Sequence, residues 1–175
     1  MNRKLVAAMI AAALGAGAPA QAAEPAYLRI DPSRFQSFVG NWTPEDAPLC
    51  AVIRSEAEWR QILHPAPVMD SHKPFSPGGK FWKGHAVIMV ARVISAGNIA
   101  GVFRPERIRR SAEAIEVDYR FSPTPRASSS IKWYLALRVA EPLPPTVSLV
   151  ENGREVCALH QDAGTWVTPA PRTAE

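Results

Sequence analysis

Past the first two dozen residues, the longest apolar run in the chain is AVIMVARVI at residues 86–94, broken by Arg92 alone. It is rich in β-branched residues and far short of the ~20 apolar residues a membrane span needs. It does not alternate with polar residues, so both of its faces should be covered. Extended to residues 85–96, it is expected to be the central strand of a sheet. Further on, the pattern changes to period two. In residues 114–121, Ile115, Val117, Tyr119 and Phe121 oppose Glu116, Asp118 and Arg120. In residues 131–139, Ile131, Trp133, Leu135, Leu137 and Val139 oppose Lys132, Tyr134 and Arg138. Two such strands are expected to pair antiparallel, with opposite charges on a wet face. The polar link SPTPRASSS between them reads as exposed.

Asn152-Gly153 tolerates the two positive φ angles of a type I′ turn and joins residues 147–151 to 154–159 as a hairpin. That register sets Glu151 against Arg154 and Leu149 against Val156. Residues 27–30 suggest an edge strand, and residues 51–54 and 99–103 suggest short strands. Between them, Ser55 and Glu58 have the spacing of a capping box, opening a helix over residues 56–63 with Trp59, Ile62 and Leu63 on its buried stripe and Glu56 and Arg60 toward water. His64-Pro65 ends it. The stretch PAPVMDSHKPFSPGGKFWK at residues 65–83 has no periodicity and is long for a connection, which marks it as functional or mobile.

The start, MNRKLVAAMIAAALGAGAPAQAA, has a basic beginning, an apolar core and an A-x-A pattern at Ala20 and Ala22. It reads as a secretory leader over residues 1–22, followed by one domain at 23–163 and a loose tail at 164–175. Removing the leader takes two of the 20 Lys and Arg and none of the 16 Asp and Glu, leaving a net charge of +2. With so small a charge and an exported address, nucleic acid is not an expected partner, and no membrane span is expected after cleavage. The periplasm or the exterior is oxidising, so Cys50 and Cys157, the two cysteines of the chain, are expected to form a disulfide.

Sites of chemistry are sparse. There is no G-x-S-x-G elbow, no phosphate loop and no metalloprotease helix. Cys50 with His64 or His160 would make a nucleophile pair only if the thiol were free. Asp70, His64, His72 and His85 match no recognised ligand spacing, so no metal or cofactor is expected. Arg104, Arg107, Arg109 and Arg110 invite an anion site, yet Glu106, Glu113, Glu116 and Asp118 nearby make a solvated, paired face the better reading. Trp42, Trp59, Trp82 and Trp133 suit either a ligand cavity or core packing.

The order of a strand, the helix SEAEWRQIL, a Pro-rich loop, FWKGHAVIMVARV and late strands resembles, over residues 52–159, the C-terminal domain of bacterial PrcB-type protease-complex subunits. Where that family carries a Gly-Gly-Tyr turn, this chain has Ser95-Ala96-Gly97-Asn98. The resemblance implies a noncatalytic β-rich module that binds a partner protein, and it transfers no site residues. Together these readings give a mainly β fold, a single β-sandwich or partly open barrel with one short α-helix. The expected function is an exported, periplasmic or secreted module binding a protease or other envelope protein through loops 65–83 and 122–130. Phe75, Phe81, Trp82 and Arg126 are of the types that carry interface energy, although Phe81 and Trp82 adjoin the central strand and equally suit closing the core. The rivals are a small-ligand binder and an envelope enzyme using Cys50 or the His64/His72 loop.

Overall fold

The computed structural model describes residues 27–40, 48–95, 99, 101–123, 129–162 and 165–167. The leader, Trp42, the turn at 96–98 and Arg126 lie outside them. In chain order the strands are β1 (Leu28–Ile30), β2 (Ser37–Val39), β3 (Leu49–Ile53), β4 (Leu63–Pro65), β5 (His85–Ser95), β6 (Phe103–Arg110), β7 (Ala114–Phe121), β8 (Ser130–Ala140), β9 (Thr146–Glu151), β10 (Arg154–Asp162) and β11 (Thr165–Val167). The α-helix, α1 (Glu56–Ile62), lies between β3 and β4. One sheet has the order β1-β8-β5-β3, the second β11-β10-β9-β7-β6, and β2 and β4 pair separately. The two large sheets face each other as a sandwich and close no barrel.

Strand β5 is interior to its sheet, between β8 and β3, and is covered on both faces as its composition demands. Ala86, Ile88, Val90 and Ile94 point into the core between the sheets, with Leu135 and Leu137 of β8 and Val117, Leu149 and Leu159 opposite. Val87, Met89 and Ala91 point the other way, into a second core with Trp59, Leu63, Val39 and Ile53. The molecule therefore has three layers: the β6–β11 sheet, the β5-centred sheet, and a cover made of α1, β2, β4 and the segment after them.

That second core overturns the expected pairing of residues 114–121 with 131–139. Strand β8 has no wet central face, because Tyr134 and Ala136 are buried beside Trp59. It pairs with β5 and β1, while β7 pairs antiparallel with β6 and parallel with β9. The link after β7 carries the chain from one sheet to the other, and β8 thus forms part of the crossover that a parallel β7–β9 pair requires.

Local differences have local causes. The strand expected at 99–103 begins only at Phe103 and runs through Pro105 to Arg110. It is an edge strand, where a proline costs no ladder bond, and its register shifts between Pro105 and Arg107. The hairpin turn is as expected, with Asn152 at φ 52 and Gly153 at φ 82. A bulge between Glu155 and Cys157 then sets Leu149 opposite Cys157 rather than Val156. Beyond Asp162 the chain is not wholly a loose tail, since Thr165–Val167 returns along β10 as β11.

Helix α1 starts as its capping residue dictates: the Ser55 hydroxyl accepts from the Glu58 amide at 3.1 Å. The Glu58 carboxylate does not return to Ser55. It accepts from the Arg54 amide at 2.6 Å, one residue earlier, and so satisfies the chain leaving β3. The helix ends at Ile62, and Leu63 opens β4, because the residue before Pro65 is biased to extended backbone. Trp59 and Leu63 are buried, Ile62 and Glu56 half-buried and Arg60 exposed. Trp59→Ala should remove the centre of the second core and cost about 3–5 kcal/mol, read as a lower urea midpoint. An unchanged midpoint would contradict this packing.

Candidate functional site

The segment from Ala66 to Gly84 contains no α-helix or strand, yet it is firmly held. Gln36, between the short helical turn at Pro32–Arg34 and β2, is the clamp and is itself only 7% exposed. Its side-chain amide donates to the carbonyls of Ser71 at 3.0 Å and Lys73 at 2.7 Å, and its side-chain oxygen accepts from the Val68 amide at 2.7 Å. Its backbone bonds Pro74 and Ala66. A buried primary amide must satisfy all of these groups or destabilise the fold, so its bonding capacity fixes the loop's path.

Three further contacts fasten the second half. The Trp59 indole donates to the Phe75 carbonyl at 3.1 Å, the Trp82 indole to the Pro77 carbonyl at 3.2 Å, and the buried Ser76 hydroxyl to Glu56 at 2.7 Å. The Ser76 bond, followed by Arg60, holds the Glu56 carboxyl below its usual range. What this frame presents is apolar: Val68 is 62% and Met69 is 89% exposed, next to Asp70 in the left-handed region at φ 61. Leu28 and Phe38 are also exposed. All four belong to the first strand or to the layer that covers the β5-centred sheet, and none to the β6–β11 sheet.

The sequence-selected residues are placed differently. Phe81 and Trp82 are half-buried at the rim of the second core, their rings 4.9 Å apart, with Trp82 6.1 Å from Trp59 and the Arg138 guanidinium 5.0 Å over Phe81. Phe75 is half-buried on the same loop, and Arg126 lies outside the described residues. Val68 and Met69 are not of the aromatic and arginine types that most often carry interface energy. The signal available was the apolar pair V-M within an otherwise polar, Pro-punctuated loop.

A second polar assembly lies where the inner rows of the two sheets run out of apolar residues. By period two, Arg92 continues the inward row of β5, and Glu151 that of β9. They meet as a two-pronged pair at 3.1 and 2.7 Å, and the Tyr119 hydroxyl donates to the same carboxylate at 2.8 Å. The guanidinium also stands 5.6 Å over the Phe121 ring. An adjoining cleft of about 540 Å³ is lined by Pro48, Arg92, Glu151, Asn152, Arg154, Glu155 and Val156. Arg92 and Glu151 satisfy each other, so the assembly reads as a tie between sheets. Its sequence signal was the lone charge inside the apolar run.

Cys50 and Cys157 are joined across the sandwich with Cα atoms 6.5 Å apart. The bond takes up the thiol that a Cys50 nucleophile would need. Among the described residues no group of three His, Cys, Asp or Glu side chains comes together to hold a metal. His72 is exposed and His64 stacks near Phe38. Three arginines of β6 bond their neighbours: Arg107 with Asp118, Arg109 with Glu116 and Asp118, and Arg110 with the carbonyls of Ala140 and Pro142. No helix among the described residues is long and apolar enough to cross a membrane. No protein-family model matches the chain, and neither a curated protein nor a solved structure is significantly similar to it.

Two measurements probe these assemblies. Burial first, then the Glu151 bond, pushes the Tyr119 hydroxyl well above its ordinary range, and burial does the same for Tyr134. A raised folded-state pKa stabilises below the unfolded value near 10 and loses that contribution above it. Stability should therefore fall above pH ~10 by roughly 1.4 kcal/mol per pH unit for each tyrosine. Tyr119→Phe should flatten this slope, and an unchanged slope would place the phenol in water. Gln36→Ala should speed amide exchange across residues 66–75 while leaving β5 protected; uniform protection would show that the clamp is dispensable.

Proposed function

We propose that the protein is an exported, noncatalytic binding module that engages a protease or other protein of the cell envelope through the anchored loop. The observation that carries this reading is the Gln36 clamp with Val68 and Met69 held out beside it. Rigid scaffolds present binding residues in this way, since a pre-ordered loop loses little entropy when it docks. Phe75 on the same loop extends the proposed contact surface, and Arg126, on the link after β7, is a candidate contact by sequence alone.

Export is supported by the leader-like pattern at residues 1–22 and by the Cys50–Cys157 pair, which is compatible with an oxidising compartment. The resemblance to PrcB-type subunits supplies the class of partner. An enzymatic reading would need a free thiol or a bound ion. A small-ligand reading would need aromatic faces open to a concavity, whereas Trp59 is packed in the second core and Phe81 and Trp82 lie at its rim.

Affinity capture from envelope extract, read by mass spectrometry, should recover a reproducible protein partner. Val68→Ser with Met69→Ser should keep the wild-type melting temperature and lower recovery at least about tenfold, the equivalent of ~1.4 kcal/mol. Phe75→Ala with Arg126→Ala should act in the same direction. Undiminished recovery by folded variants would defeat the loop as the contact. Repeated empty captures together with a stoichiometric metal ion would defeat the binding reading itself.

A further inference from the structure

We propose that Met69 is an oxidation site for hydroperoxides, and that its sulfoxide is the released state of the loop's partner contact. The second half rests on the protein-binding reading above; the first does not. The sulfur atoms between residues 27 and 167 belong to Cys50, Cys157, Met69 and Met89. The two cysteines are bonded to each other, and Met89 is fully buried in the second core. Met69 is 89% exposed, so one thioether in the folded domain is open to solvent.

The surroundings keep it so. On one side Gln36 fixes Val68, and on the other it holds Ser71 and Lys73. The Ser71 amide also closes back on the Val68 carbonyl at 3.2 Å. These bonds fix the backbone on both sides of Met69, at the tip of the loop. Met69 stands next to the exposed Val68, and a flexible thioether beside a second apolar side chain is suited to contact.

In the reaction a sulfur lone pair attacks one peroxide oxygen, the S–O bond forms and the O–O bond breaks. The departing alkoxide, or hydroxide in the case of hydrogen peroxide, takes the proton carried by the transferred oxygen and leaves as alcohol or water, while sulfur loses two electrons and the peroxide gains them. The product is polar where the thioether was apolar, so it changes the loop's surface while the core stays intact.

The test uses the folded protein without the leader at residues 1–22, so that Met1 and Met9 contribute no sulfur, and hydrogen peroxide. Trypsin places Met69 in the peptide of residues 61–80 and Met89 in that of residues 84–92, so each peptide reports one sulfur. In the folded protein the 61–80 peptide should gain about 16 Da at least about tenfold faster than the 84–92 peptide, and in urea the two rates should converge. Similar rates in the folded state would overturn the site. For the consequence, retention on a phenyl-substituted column should fall after peroxide for the wild type and stay constant for Met69→Leu, which keeps the apolar surface but cannot be oxidised. Equal loss in both proteins, or none in the wild type, would overturn the switch while leaving the binding reading to its own capture experiment.

Discussion

The need to cover β5 on both faces governs the rest of the structure. A strand that is apolar on each side cannot lie at a solvent boundary without exposing one row of Val, Ile and Met. One row is met by the opposing sheet, in the usual manner of a sandwich. The other requires a further layer, which is supplied by the chain before β5 in sequence: β2, α1, β4 and the long segment leading back to β5. That segment thus belongs to the wall of the second core, and its conformation follows from that duty. Trp59 is the pivot, packing edge-on to Phe35, Trp82 and Tyr134 while its indole holds the loop backbone.

Polar groups inside this fold are used to fix position. Gln36 fixes the loop against β2, and the Arg92–Glu151–Tyr119 assembly fixes one sheet against the other. Neither is expected to add much net stability, since the desolvation of such groups offsets most of what their bonds return. Both make displacement costly, because a shifted loop or sheet would strand a buried amide or charge. The apolar cores supply the driving force, and these few hydrogen bonds set the alignment.

Much of the fold was legible in the sequence because it is written in local patterns. The apolar run at β5, the alternation of β7, the Ser55 cap and the Asn152-Gly153 turn each have a short-range physical cause. Pairing partners were not legible for the opposite reason. Nothing in residues 114–121 tells whether their neighbour is β8 or β9, and the alternation of β8 read Tyr134 as wet because a tyrosine suits either environment. β6 was hidden by its arginines and proline, the devices that protect an edge strand and also weaken its signal. At the candidate site the loop was legible, but its clamp was not. Gln36 acts across more than 30 residues, and an isolated glutamine carries no pattern.

The bulge in β10 couples covalent chemistry to strand alignment. Cys157 opposes Leu149, whose side chain points into the core, and so its sulfur also points inward toward Cys50. Without the extra residue, Cys157 would fall opposite Ser148 and its sulfur would face solvent, beyond reach of its partner. In the chain-entropy description a link closing a loop of this length is worth about 4–5 kcal/mol. A one-residue slip of the last hairpin would have to give up that amount as well as its ladder bonds. The disulfide thus acts as a proofreader of β-register, rejecting a misaligned hairpin that the backbone alone would nearly tolerate.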